Sequence, residues 1–178
     1  LHAGIGEVID VSTSMISLYD ETSDTLAYPV IYDRGVRMQL APQPLRRGSN
    51  AWAVRNRQPL LLRSLDEARA LGLVVDDVRI GDSPEVEESY LVTPILFGSR
   101  VLGVINIQSY EPRAFDENDL RFLTTVANQA AVALNNARLF SETRQNAAEM
   151  TTLFEVTKDL SGTLDPLEVQ QLVADAAL

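Results

Sequence analysis

The sequence predicts an α+β domain in which an antiparallel sheet carries helices on both faces and a long helix follows it. Three observations predict this. Residues 90–97 and 101–109 are apolar runs rich in β-branched and aromatic types, joined by Gly98-Ser99, the signature of a tight hairpin. Residues 12–19 and 25–32 form a second pair of extended runs around the polar turn 20–24. From Asp116 there is neither proline nor glycine until Gly162, which predicts a helix of about 45 residues.

Taken in order, Leu1, Ile5, Val8 and Ile9 share one helical face, so residues 1–11 read as the last turns of a helix and the chain as a piece of a longer protein. His2 lies there without a second ligand candidate and is assigned no role. In the run 25–32, Pro29 lacks a backbone donor and predicts an edge or a bulge. Ser49 is expected to cap a short helix holding Ala51, Trp52, Ala53 and Val54, and residues 59–62 to begin a short buried strand. Trp52, the single tryptophan, reads either as core or as the wall of a pocket. A helical turn is expected near 65–71, and 72–89 as a long acidic loop where a ligand would enter.

Charge is unevenly placed. Seven arginines and no acid lie between Arg34 and Arg63, while eight acids and two arginines lie between Asp66 and Glu88. The blocks could face each other, line a pocket for an anion, or be solvated faces.

In the long helix, Asp116 is the expected cap with Asp119 three residues on. Leu120, Leu123, Ala127, Ala130, Leu134 and Ala137 then form a stripe for the preceding hairpin. Further on, Leu139, Thr143, Asn146, Met150, Leu153, Thr157 and Leu160 recur at alternating spacings of four and three, a heptad pattern that predicts a parallel homodimer. Its polar positions suit either a helix that shifts between two states or a rigid spacer. Asp165-Pro166-Leu167-Glu168 is a strong helix start, so a further domain is expected there.

With 178 residues, 46% apolar content and 22% charge, the chain is large enough for one real core. It has no cysteine, which removes disulfides, thiolate metal sites and thiol nucleophiles. A net charge of −10 opposes nucleic-acid binding, and no apolar run approaches the length of a membrane helix. A cytoplasmic location, with neither nucleic acid nor membrane as partner, is the expectation. No Ser-His-Asp set, carboxylate pair, metal cluster or phosphate loop is visible, so the fragment itself reads as non-catalytic.

The order of these elements, with Arg47-Gly48-Ser49-Asn50-Ala51-Trp52, Leu102-Gly103-Val104-Ile105, Phe115-Asp116-Glu117-Asn118-Asp119-Leu120 and Leu134-Asn135-Asn136-Ala137-Arg138-Leu139-Phe140, resembles a GAF domain over residues 1–141. The resemblance implies a coiled-coil linker at 142–161 and the start of a following domain at 162–178, in a bacterial two-component sensor whose parent is a histidine kinase. It implies an antiparallel sheet with the terminal helices on one face and ligand-binding loops on the other. Cyclic-nucleotide-binding members carry an Asn-Lys pair after the last strand, where this chain has Ser109-Tyr110, and an Asp-Glu pair after the Phe, where it has Asp119-Leu120. Cyclic nucleotide is therefore not the expected ligand. A covalent bilin and the cysteine chemistry of free methionine sulfoxide reductases need a Cys, and a haem needs a pocket His; no cofactor is identified.

The implied function is a sensory module: a small molecule binds between the sheet and residues 32–63 and 72–89 and shifts the exit helix. Candidate contacts are Tyr32, Arg34, Arg47, Trp52, Tyr90 and Thr93, with Leu139, Met150, Leu153 and Leu160 as the dimer and relay positions. The alternative is a ligand-free dimerisation and relay module.

Overall fold

The computed structural model describes residues 12–73 and 86–163, the last ten of these as backbone only. Among the described residues there are seven strands: β1 (Thr13–Asp20), β2 (Thr25–Asp33), β3 (Val36–Arg37), β4 (Gln43–Pro44), β5 (Leu60–Leu62), β6 (Ser89–Phe97) and β7 (Arg100–Ser109). They form one sheet in the order β3-β2-β1-β7-β6-β5, with β4 also paired to β2. Every pairing is antiparallel. Both predicted hairpins are present. Phe97 pairs with Arg100 across Gly98-Ser99, and Gly98 at φ 60 supplies the left-handed residue that opens such a turn.

Pro29 lies where the register of β1 and β2 slips between Ile16 and Leu18, so it sits at a bulge, as its missing donor requires. On its other side β2 pairs with β4 at Thr25 and Leu26 and with β3 at Tyr32 and Asp33.

Among the described residues, three helices accompany the sheet: α1 (Ser49–Asn56), α2 (Leu65–Ala70) and α3 (Glu117–Thr163). Leu91, Ile95, Ile105 and Ile107 pack on Phe115 and on Leu123, Ala127, Ala130 and Ala131 of α3. The alternate residues Val92, Val101 and Val104, with Leu60 and Leu62, pack on Ala51, Ala53 and Val54 of α1 and Ala68 of α2. Because both faces are covered, β6 and β7 read in sequence as continuous apolar runs. Gly103 is required between them and β1. A Cβ there would lie 2.1 Å from the Ser17 carbonyl oxygen.

The helix starts follow local chemistry, with one correction. Ser49 was expected to cap α1 but is its first residue. The capping position belongs to Gly48, whose φ of 124 only glycine adopts at no cost, and Ser49 Oγ instead accepts a bond from Asn106. The α2 cap is Ser64, whose Oγ accepts from the Glu67 amide at 3.2 Å. At α3 the expected reciprocal box is present. Asp116 Oδ1 accepts from the Asp119 amide at 3.1 Å while Asp119 Oδ2 accepts from the Asp116 amide at 2.9 Å. These amide donors, led by that of Asp119, hold the Asp116 carboxyl below its usual pKa.

The chain divides into two compact units, Leu1–Leu134 and Asn135–Leu178. Within the second, the described stretch is helix, with Asn135 buried and the other described side chains exposed, Leu139, Phe140, Met150 and Leu153 among them. Arg138 and Glu142 pair one turn apart at 2.6 Å. The helix expected at 1–11 with His2, residues 74–85 of the acidic loop, the Leu160 side chain and the helix start at Asp165 lie outside the described residues. No helix among the described residues is long and apolar enough to cross a membrane.

Candidate functional site

Side chains of residues paired across antiparallel strands point to the same side, so the register assigns each row to a face. Ile31, Met15, Asn106, Val92 and Leu60 form one row, and Asp33, Thr13, Gln108, Tyr90 and Leu62 the next but one. Both lie on the α1 face, which therefore bears amides and hydroxyls at the sheet centre beside an aliphatic cluster. Asn106 is only 2% exposed. Its Nδ2 donates to Asn50 Oδ1 at 2.7 Å, and its Oδ1 accepts from Gln108 Nε2 at 3.2 Å. Asn50 Nδ2 in turn contacts Met15 Sδ at 3.5 Å. At the sheet margin, Asp33 Oδ1 accepts from Thr13 Oγ1 at 2.9 Å and from Tyr110 Oη at 3.0 Å. The Arg34 guanidinium lies over the Tyr110 ring, 4.6 Å from its centroid. Burial is the first cause raising the Tyr110 pKa, and the Asp33 carboxylate adds to it.

A cavity of about 130 Å³ opens between α1 and the residues that follow α2. Arg47, Trp52, Arg55, Asn56 and Leu73 are among its lining, and none of the described lining residues is acidic. Asn56 Nδ2 donates to the Trp52 carbonyl at 2.9 Å, which holds the last turn of α1 beside it. Arg57, left-handed at φ 54, ends that helix.

The structure separates the predicted contacts into four groups. Arg47 and Trp52 meet at the cavity. Tyr90 lies on the same sheet face, its hydroxyl donating to the Glu87 carbonyl at 3.0 Å, and burial pushes its pKa up to about 12. Tyr32 and Thr93 must be corrected: they occupy rows that face α3. Tyr32 pairs with Ser14 in the row of Ile107 and Leu91, and Thr93 Oγ1 lies 3.3 Å from Thr124 Oγ1 of α3. Period two along a strand fixes this, and a continuous apolar run hides it. Arg34 stands with Gly35 in a two-residue turn joining β2 to β3, both at positive φ, away from the cavity lining. The sequence reading missed Asn50, Asn106, Gln108 and Arg55. Its available signal was the pair of amides two residues apart inside an otherwise aliphatic strand.

Arg69 pairs with Asp66 at 3.3 Å inside α2, but both lie in the acidic block, so this pair does not join it to the arginine block. Instead Arg63 reaches Glu117, the first residue of α3, at 2.9 Å. The Arg63 carbonyl also accepts from the Arg113 amide at 2.8 Å, and its amide donates to the Glu67 carboxylate at 2.7 Å. The end of β5, the start of α2 and the start of α3 are thereby tied at one residue. Among the described residues, no group of three or more His, Cys, Asp or Glu is placed to hold a metal ion.

Comparison with known proteins agrees with this architecture, since the GAF domain family matches residues 2–135. The chain belongs to the GAF family. Its GAF domain is similar to part of the circadian input-output histidine kinase CikA of Thermosynechococcus vestitus, with 25% identity over 157 residues, 82% of this chain. The chain spans 21% of that relative's length. Among solved structures, it resembles the GAF domain of an Acinetobacter phosphoenolpyruvate-protein phosphotransferase with a TM-score of 0.62 and 18% identity, over 77% of this chain and 79% of that one. The GAF-B domain of DevS from Mycobacterium smegmatis aligns with a TM-score of 0.58 and 21% identity, over 80% and 91% of the two chains. A free methionine-R-sulfoxide reductase of Neisseria meningitidis, solved with its substrate, aligns at 0.61 and 21%, over 77% and 75%. At these identities the structural likenesses establish the fold alone.

Proposed function

We propose that this GAF domain is a regulatory small-molecule sensor that relays binding through its C-terminal helix to an output domain, in a two-component sensor with a histidine kinase as parent. The observation that carries this reading is the tie at Arg63. The cavity takes part of its lining from Gly72 and Leu73, just after α2, and the other end of α2 is bonded through Arg63 to Arg113 and Glu117 at the start of α3. A ligand that moves the end of α2 therefore acts on the first turn of the exit helix through contiguous hydrogen bonds. The signal is the ligand's difference in affinity between two settings of that helix. The 25% identity to part of a histidine kinase supports the parent assignment.

The test is a thermal-shift and calorimetric screen of metabolites on this chain, followed by spin-label distances between copies labelled at Met150. Binding that changes the distance distribution supports the relay; binding with no change removes the relay; a screen without any hit removes sensing.

A second reading is a dimerisation and relay module without a ligand. Four exposed apolar residues on α3 favour it: Leu139, Phe140, Met150 and Leu153, of which Leu139, Met150 and Leu153 keep heptad spacing. In this reading the homodimer forms through that seam. Sedimentation of the wild type against Leu139→Glu and Leu153→Glu decides it: dimers that dissociate on substitution support the seam, and a monomeric wild type at high concentration rejects it.

A further inference from the structure

We propose that the α1 cavity takes a compact organic anion, its carboxylate or phosphate oxygens held by Arg47 and Arg55 and its carbon skeleton resting against Trp52. The inference rests on the sensor reading above and names the class of ligand. Arg47 and Arg55 both line the cavity, and no acid among the described residues does. In a chain with 25 acids to 15 lysines and arginines, a concave site whose described lining holds two cations and no anion runs against the composition. Among the described residues, neither guanidinium has a carboxylate within ion-pair distance, whereas Arg63, Arg69 and Arg138 each have one. An anion at this cavity can accept forked hydrogen bonds from a guanidinium without having to displace a carboxylate partner among the described residues.

Size and shape narrow the class further. A cavity of about 130 Å³ is large enough to admit a small acid. Trp52 contributes an apolar surface and Asn56 a polar one, which favours a short carbon skeleton over a bare inorganic ion.

Because Trp52 is the sole tryptophan, its emission reports on this site in the intact chain. Succinate, phenyl phosphate and inorganic phosphate are titrated at constant ionic strength, with succinamide and glycerol as uncharged controls. The expected result is a saturable change in Trp52 emission with an organic anion, weakened at least tenfold in the double variant Arg47→Gln, Arg55→Gln, whose circular dichroism matches wild type. If that variant does not fold, Arg47→Lys serves: it keeps the charge, loses the planar fork, and is expected to weaken binding several-fold. Saturation by inorganic phosphate equal to that by the organic anions overturns the skeleton contact. An anion response that survives the arginine substitutions, or that the uncharged controls match, overturns the proposal. If the probes fail while an uncharged metabolite stabilises the chain in the wider screen, the anion class falls and sensing stands. If nothing stabilises it, both fall.

Discussion

The two faces of the sheet are built from the same strands, yet they are chemically different. The α3 face buries Leu91, Ile95, Ile105, Ile107 and Leu123 against one another. The α1 face sets Asn106, Gln108, Thr13 and Asp33 beside its aliphatic cluster, all of them under a tenth exposed. That face is mainly aliphatic, with the Thr93 and Thr124 hydroxyls 3.3 Å apart within it, and aliphatic packing needs only shape and area. A face of buried amides must satisfy every donor, and among the described residues no buried side-chain polar atom lacks a partner. The comparison teaches that α3 is bound mainly by packing, while α1 is located by hydrogen bonds to buried amides of the sheet.

Substitutions should separate the faces, and the largest effects belong to packing. Leu123→Ala, at a site with no exposed surface, should cost about 2–5 kcal/mol by cavity formation. At roughly 2–4 °C per kcal/mol, calorimetry should find a fall in Tm on the order of 10 °C. Gly103→Ala tests the seam between β7 and β1. With the new methyl carbon 2.1 Å from a backbone oxygen, the strands must shift, and a loss of about 1–3 kcal/mol or more in urea unfolding is expected. A loss below half a kcal/mol would show that the approach of β1 to β7 is not fixed there.

On the α1 face, Asn106→Ala strips partners from Asn50 and Gln108 and should cost about 1–3 kcal/mol. A double-mutant cycle with Asn50→Ala should return a coupling of about 0.5 kcal/mol or more; additive losses would break the idea of a ladder. Arg63→Gln removes a bridge whose side chains are 43% and 61% exposed, so stability should change by less than about 1 kcal/mol. Ligand-induced change at Met150 should nevertheless be lost, which separates a relay from a stabilising contact.

The pH responses are smaller and opposite in sign. The folded pKa of Asp116 is depressed, so its capping contribution is present above the unfolded value of 3.8 and is lost as pH falls through the lower folded value. Asp116→Asn should flatten that acid limb. Tyr90 is raised from 10.0 to about 12, so its contribution is complete below pH 10 and is lost as pH rises toward 12. Tyrosinate absorbance of Tyr90→Phe against wild type isolates that step.

Much of this was legible in the residues. The hairpins, the Asp116 cap and the stripe Leu120, Leu123, Ala127 follow from propensity and period, which act locally. The α1 face was less so. A strand covered on both sides loses the alternation that tells its faces apart, and Thr93 was placed on the wrong one for that reason. Ser49 was misread because a capping hydroxyl and a glycine capable of φ 124 stood side by side, and the second won. Arg55 was passed over because one arginine among seven carries no mark of its own; only α1 brings it to the cavity with Arg47.

Pro29 has a consequence beyond its own strand. Between the short β3 and β4, the outward side of β2 has no pairing strand among the described residues, and the proline there offers no N–H to a visiting backbone. Its carbonyl is already approached by Arg37 Nη2 at 3.4 Å. An open sheet margin that would otherwise recruit a foreign strand is thus blunted, and Pro29→Val should turn a well-behaved chain into one prone to aggregate on concentration.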